Sequence, residues 1–202
     1  MASRAPGRPP GGNSDLRRRI LMEAAARFSQ RGYDATTIRG VAAAAGVDPA
    51  LVRYHFGSKA GLLTEVLGLR FAPADVLAVA LRSAPPHRMA ERLLALVILS
   101  WEEAVADSGM RGVVVQALHE PETRVLFGEY ITTEVVGRLE EALPGTRRRE
   151  RAAAAIGVLI GMIMGRYVLS IPAYAVPTPN QVFRQTLPAL RSALASPEAG
   201  RV

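Results

Sequence analysis

The side chains best suited to contact another macromolecule cluster after Asp48-Pro49, in the first third of the chain. An acidic N-cap followed by proline is a helix-start signal, so we predict a short helix from Pro49 to about His55. Its outward positions are predicted to be Pro49, Ala50, Arg53, Tyr54 and His55. Arg53 can reach a guanine edge bidentately or a phosphate. Tyr54 and His55 carry single polar tips that suit phosphates or a thymine methyl group.

A second short helix is predicted just before this one, from Ile38 to Ala45, with Thr36 or Thr37 as its cap and Gly46 at its end. Two short helices joined by a glycine-containing turn form a helix-turn-helix candidate, and the second is short enough to lie in a major groove. The helix starts at Thr37 and at Ser58-Lys59 would offer free backbone N–H groups to phosphates. Many helical cores contain such a hairpin, so this pattern alone is weak.

Positive charge is concentrated at the N-terminal end. Residues 1–59 hold ten basic and four acidic residues, a net charge of +6, whereas residues 60–202 carry +1. This asymmetry indicates either a polyanionic partner or a solvated basic surface. We predict that residues 1–13 form a disordered basic arm, whose Arg4 and Arg8 either enter a minor groove or add only diffuse attraction.

Lys59 is the only lysine in the chain, against twenty-four arginines. One interpretation is that a compact ammonium is needed at this helix start, where a guanidinium would be bulkier. The alternative is chance.

The rest of the chain is also predicted to be helical, so the fold class is all-α. The first helix should run from Asp15 to Arg31, with Ser14 as its N-cap and Gly32 after its C-cap. Val52 and Phe56 should point inward from the helix that begins at Pro49. Beyond Phe71, prolines separate predicted helices near 74–82, 87–106, 110–118, 122–142, 147–170 and 180–194.

Composition argues against several classes. Without cysteine there is no disulfide or thiolate chemistry, and the N-terminus has no apolar core typical of a secretory signal. The apolar run 152–165 is shorter than a membrane span, which needs roughly 20 residues, and Arg166 interrupts its extension to Ile171. We therefore predict a buried helix, no membrane partner and a cytoplasmic location.

The stretch 16–67, with ATTIRGVAAAAGVDPALVRYHFGSKAGLLTEVL at its centre, resembles the DNA-binding domain of TetR-family regulators. The matching residues are Phe28, Gly32-Tyr33, Thr36-Thr37, Ile38, Ala42, Ala45-Gly46-Val47, Tyr54-His55-Phe56, Ser58-Lys59 and Leu62-Leu63. Beyond this quarter of the chain, only length and helicity match. The resemblance implies a helix-turn-helix domain at 14–60 and a helical effector-binding and dimerisation domain at 61–202.

The resemblance also implies a ligand-responsive repressor that binds double-stranded DNA. The implied DNA-binding set is Thr36, Thr37, Asp48, Pro49, Ala50, Arg53, Tyr54, His55 and Lys59. Within it, Thr37, Tyr54, His55 and Lys59 would contact the backbone, and Pro49, Ala50 and Arg53 would face the bases. Where the family often has an aromatic residue this chain has Arg53, which leaves its role open between base and phosphate.

The helix that begins at Pro49 would read the bases and is called the reading helix below. A homodimer is expected because one such short helix gives little contact area for tight, specific DNA binding. Gly157, Gly161 and Gly165 recur every four residues, a stripe on which another helix could pack closely. By resemblance we assign helices 122–142 and 147–170 to the dimer interface. The alternative is that the stripe packs within its own subunit.

The resemblance further implies a small-molecule pocket in the middle helices, which the helix starting at Ser58 would link to the DNA-binding domain. Candidate pocket residues are Trp101, Gln116, His119, Phe127, Tyr130, Met162 and Tyr167. No metal or cofactor is expected, since His119 has no partner at ligand spacing. Two other functions remain open: a charge-driven architectural or membrane-surface protein, and a helical enzyme, although no catalytic motif is present.

Overall fold

The computed structural model describes residues 12–83, 85–106 and 110–196, and this part of the chain contains helices and no β-strand. The first four helices are α1 (Gly12–Ala35), α2 (Ile38–Ala44), α3 (Pro49–Phe56) and α4 (Lys59–Val66). The others are α5 (Pro73–Ser83), α6 (Met89–Ala106), α7 (Met110–His119), α8 (121–142), α9 (Arg148–Val168) and α10 (Pro179–Leu194). Short helical turns form at Pro86–Arg88 and Pro172–Ala175. The all-α prediction is confirmed.

Helix positions agree closely with the sequence. All six helices predicted beyond Phe71 lie within two residues of their expected ends. One start is wrong: α1 begins at Gly12, so Ser14 lies inside the helix and residues 12 and 13 do not belong to a disordered arm. A first turn exposed to water can satisfy its free N–H groups without a side-chain cap. The remainder of the arm, with Arg4 and Arg8, lies outside the described residues.

The first three helices share one apolar core. Its fully or nearly fully buried side chains are Ile20, Ala24, Phe28, Val41, Ala42, Val52 and Phe56. The buried positions of α1 and of α3 recur at i, i+4 spacing, and Val41 and Ala42 are adjacent on α2, so one side of each helix faces the same centre. The inward direction predicted for Val52 and Phe56 is confirmed.

Gly32 breaks α1 as the sequence predicts. Its φ of 75° and ψ of 179° leave the helical region, and only glycine adopts this conformation at no steric cost. A Cβ at this position would lie 2.7 Å from Oε2 of Glu129 on α8, so a larger residue would also have to displace this carboxylate. The turn that follows leads directly into α2.

The helices α8 and α9 each contain a π-helical segment. In α8 the α-helical stretches Pro121–Tyr130 and Gly137–Ala142 flank π-helical turns at Ile131–Val136. In α9 the stretch Arg148–Ile163 continues into π-helical turns at Met164–Val168. Such segments are uncommon and occur frequently at functional sites.

Within the part of the chain that the structure describes, one helix, α9, is long and apolar enough to cross a membrane, with a mean hydropathy of 1.4 over its most apolar window. Half of that window is buried inside the protein, and a core helix of a helical protein passes the same test. Arg151 near its start and Arg166 near its end are both engaged in hydrogen bonds within the chain. These features fit the predicted buried helix.

Candidate DNA-binding surface and internal cavity

The outer face of α3 is polar and open to solvent. Asp48 caps the helix, its carboxylate accepting a hydrogen bond of 2.7 Å from the backbone N–H of Ala50. Ala50 and Arg53 are exposed, and Tyr54 is 82% exposed, which is unusual for so large a ring. Because Val52 and Phe56 anchor the opposite face, this outer set is held on a rigid helix.

The remaining predicted contacts lie around this face. Pro49 and His55 are half-buried, and Thr37 is exposed at the start of α2. The Thr37 hydroxyl caps α2 by accepting from Gly40 N–H at 3.0 Å. Ser58 caps α4 in the same way, accepting from Gly61 N–H at 3.0 Å. The predicted caps at Thr37 and Ser58 are confirmed.

The structure corrects the predicted role of Thr36. Its side chain is 2% exposed, and its hydroxyl donates to the carbonyl oxygens of Gly32 at 2.8 Å and Arg27 at 3.2 Å. The predicted DNA contact from this side chain is therefore wrong. Thr36 instead fixes the turn between α1 and α2.

Lys59 also turns inward. Its Nζ donates to the carbonyl oxygen of Tyr33 at 2.9 Å and approaches that of Asp34 at 3.4 Å. The ammonium lies 4.1 Å from the centre of the Tyr33 ring, a cation–π arrangement. A compact ammonium fits between a ring and two carbonyls, which accounts for lysine here without a phosphate. The structure therefore gives Lys59 a positioning role at the junction of α4 and α1.

The end of α1, beyond the break at Gly32, is bonded to α8 by polar contacts that sequence reasoning missed. The Tyr33 hydroxyl donates to Glu134 at 2.8 Å, and its backbone N–H donates to Glu129 at 2.7 Å. Thr133 donates to Asp34 at 3.0 Å. Burial, together with the bond to Glu134, raises the pKa of the Tyr33 hydroxyl well above its ordinary value, so it remains a donor. Partners about a hundred residues apart leave no signal in local spacing.

A partly open, apolar cavity of about 180 Å³ lies among the middle helices. Its described lining consists of Leu69, Phe71, Pro73, Val76, Leu77, Leu93, Val97, Trp101, Val114, Leu118, Phe127, Ile131, Val135, Ile156, Leu159, Ile160, Ile163 and Met164. Two predicted pocket residues, Trp101 and Phe127, are among them. The side chain of Gln116 lies outside the described residues.

Four other predicted pocket residues do not line this cavity. His119 is exposed, and its Nδ1 lies 2.8 Å from the carbonyl oxygen of Val115. The buried Tyr130 hydroxyl accepts from the backbone N–H of Ala74, and burial raises the pKa of Tyr130 to about 12. Tyr167 stacks on Trp101 with ring centres 5.5 Å apart. Met162 is buried in the core. Each of these side chains has a structural role.

The glycine stripe on α9 divides in two. Gly157 and Gly161 are exposed, and a Cβ added at either would meet nothing within 4 Å. Gly165 is buried, and a Cβ there would lie 3.1 Å from ring atoms of Tyr174. Gly165 therefore packs within its own subunit, and its predicted place in the dimer interface is wrong. Gly157 and Gly161 face solvent.

Comparison with known proteins assigns both parts of the chain. Residues 20–66 match the model of bacterial regulatory proteins of the tetR family, and residues 87–194 match the model of the tetracyclin repressor-like C-terminal domain. The chain belongs to the TetR family. As a member of this family, the protein is a ligand-responsive, DNA-binding transcriptional repressor with a helix-turn-helix. Family resemblance and predicted fold class are both confirmed.

Individual relatives agree with this assignment. The chain is similar to the HTH-type transcriptional regulator BetI of Brucella anthropi, with 30% identity over 82% of this chain and 88% of that protein. BetI of Agrobacterium fabrum is 29% identical over 81% and 83%. A TetR-family regulator of Streptomyces coelicolor A3 has the same fold, with a TM-score of 0.50, 24% identity, and coverage of 95% of this chain and 100% of that one.

Within the described residues, no group of three or more histidine, cysteine, aspartate or glutamate side chains is placed to hold a metal ion.

Proposed function

We propose that this TetR-family repressor binds a two-fold symmetric operator as a homodimer, with one α3 in each of two major grooves. The observation that carries the proposal is the outward, solvent-exposed set Ala50, Arg53 and Tyr54 on a capped helix whose other face is buried. A net charge of +6 over residues 1–59 adds sequence-independent attraction to phosphates. The half-sites are expected roughly 34–36 Å apart, one turn of B-DNA, or a little more.

Within this proposal, Pro49, Ala50 and Arg53 face the bases. Tyr54, His55 and Thr37 contact the DNA backbone. Asp48 acts through the helix cap rather than as a contact, because its carboxylate is bonded to the helix start and phosphates would repel it. Lys59 positions α4 against α1, and Arg4 and Arg8 remain predicted minor-groove contacts.

The dimer interface is proposed on the open side of α9 and on α10. Gly157 and Gly161 leave room for a second helix backbone, and the exposed Ile160 beside them supplies apolar area. The neighbouring helix α10 packs along α9 and exposes Pro188 and Ala189. We assign α10 in place of the predicted helix 122–142, because α8 is engaged with α1.

Release from DNA is proposed to run through α8 as well as α4. Phe127, Ile131 and Val135 line the cavity from α8. Glu129 and Glu134 of the same helix bond to Tyr33 at the end of α1. A ligand that favours a different arrangement of α8 would shift the spacing of the two reading helices, and so shift the dimer off DNA. The predicted route through α4 is also supported, because Leu69 and Phe71, which follow the end of α4, line the cavity.

The proposed setting is the cytoplasm, with no membrane partner and no catalytic step. A protein that binds nucleic acid by charge alone would bind all duplexes alike and lose that binding steeply as salt rises. Selection of bound fragments from a random pool, with competitor DNA present, separates the two functions.

Replacing Arg53 with alanine tests the reading helix. We expect a loss of about 30-fold or more in affinity for the selected operator, because a bidentate guanine contact contributes about 1–3 kcal/mol and the symmetric dimer loses two of them. Discrimination at one base pair per half-site should relax as well. Gel shifts with the operator and its single-base variants measure both quantities.

The matched control is Arg148→Ala, which removes an exposed arginine at the start of α9. It should leave operator affinity within two-fold of the parent, a margin of roughly 0.4 kcal/mol. Equal losses in the two variants would assign the Arg53 effect to general charge and remove the base-reading role.

A further inference from the structure

The wall of the cavity has an unusual chemical uniformity. Every described lining residue is apolar, and Trp101 is the only one with a conventional hydrogen-bonding atom in its side chain. Aliphatic side chains, three aromatic rings, one proline and one methionine make up this wall. A ligand here gains from apolar burial and finds little to orient a polar group.

Three carboxylates that lie close in sequence to lining residues of α6 and α8 are bonded to other parts of the chain. Glu102 follows Trp101, but its carboxylate accepts from Arg166 at 2.8 Å and from the Tyr167 hydroxyl at 2.9 Å. Glu129 and Glu134 on α8 bond to Tyr33 at the end of α1. A charged ligand would therefore meet no counter-charge in the described lining, which is strongly unfavourable wherever the ligand is removed from water.

We propose that the effector of this repressor is an uncharged, lipophilic small molecule about the size of one substituted aromatic ring. The size follows from the cavity volume of about 180 Å³, since an apolar cavity of roughly 150 Å³ takes up benzene. The regulatory role of this molecule rests on the proposed function, whereas its binding in the cavity does not.

Trp101 makes the proposal directly measurable. It is the only tryptophan in the chain and lines the cavity, so intrinsic fluorescence of the full-length protein reports on occupancy. Three probes share a benzene ring and differ in charge: ethylbenzene, 2-phenylethylammonium and phenylacetate. We expect a saturable change in emission with ethylbenzene and at least 100-fold weaker binding of both ions. Binding of either ion as tightly as ethylbenzene, or no binding of ethylbenzene, would overturn the proposal.

Two valines on α5 give a matched test of location. Val76 lines the cavity, whereas Val79 is on the same helix, is 38% exposed and is not part of the lining. Val76→Phe fills the cavity and should weaken ethylbenzene binding at least ten-fold, while Val79→Phe should leave it unchanged. If Val76→Phe does not fold, Val114→Phe fills the same space from α7. Unchanged ethylbenzene binding in a folded cavity-filling variant would contradict the location.

Operator binding separates this proposal from the function it extends. If ethylbenzene binds with the expected charge selectivity but the protein selects no DNA sequence, the repressor function fails and the cavity chemistry stands. If the protein selects an operator but prefers a charged probe, the function stands and the proposed ligand class is wrong.

Discussion

Replacing Gly161 with leucine is expected to raise the dimer dissociation constant by roughly 30-fold or more, since two-fold symmetry places two added side chains in one interface and overpacking costs about 1–3 kcal/mol for each. The isolated subunit should not suffer. Gly161 is exposed, has nothing within 4 Å of an added Cβ, and lies inside a helix. There leucine is favoured over glycine by about 0.5–1 kcal/mol. Sedimentation at a series of protein concentrations measures the effect.

Gly112→Leu is the matched control for this variant. Gly112 lies in α7, is exposed, and also has nothing within 4 Å of an added Cβ. It makes the same chemical change outside the proposed interface and should leave self-association unchanged. A Gly161→Leu protein that sediments like the parent would remove α9 from the interface. Operator affinity should fall together with the dimer, because each subunit then holds only one half-site.

Replacing Arg166 with methionine is expected to lower the free energy of unfolding by about 2–4 kcal/mol. The change removes a charged donor and leaves a carboxylate and two backbone carbonyl oxygens without their hydrogen-bond partner. The Arg166 side chain is only 9% exposed. Its Nε and Nη2 donate to Glu102 at 3.0 and 2.8 Å, and its Nη1 donates to the carbonyl oxygens of Tyr174 at 2.8 Å and Pro177 at 2.7 Å. One guanidinium thus fastens the chain after α9 to α6. Urea unfolding followed by circular dichroism gives the difference.

Arg191→Met supplies the comparison. Like Arg166, Arg191 pairs with a glutamate, in this case Glu91. The Arg191 side chain, however, is 59% exposed. A surface pair of this kind contributes about 0–1 kcal/mol, so the variant should unfold close to the parent. If Arg166→Met were no more destabilising than Arg191→Met, the buried network would not hold the end of α9.

The sequence predicted helices better than it predicted side-chain roles. Asp48-Pro49, Gly32 and the apolar spacing within each segment are local features, and local features determine where a helix begins, ends and faces. The order α2–turn–α3 and the outward position of Arg53 follow from them directly. The reading surface was therefore largely predictable.

Roles that depend on distant partners were not predictable in this way. Thr36 and Lys59 both stand where DNA contacts were expected, but each bonds to main-chain carbonyls of the α1 end and its following turn. The cavity likewise draws its wall from five helices and the segment after α4. Which apolar residue lines a cavity and which, like Met162, fills the core depends on helix packing rather than on residue type.

Methylation interference on selected operator DNA tests the central claim most directly, because the guanine N7 atom that it modifies lies in the major groove. We predict that methylation blocks binding at two symmetry-related positions, with half-site centres roughly 34–36 Å apart or a little more. The block at one guanine of each half-site should disappear for Arg53→Ala. Interference spread evenly along the fragment, or confined to one unrepeated position, would show that α3 does not enter two major grooves.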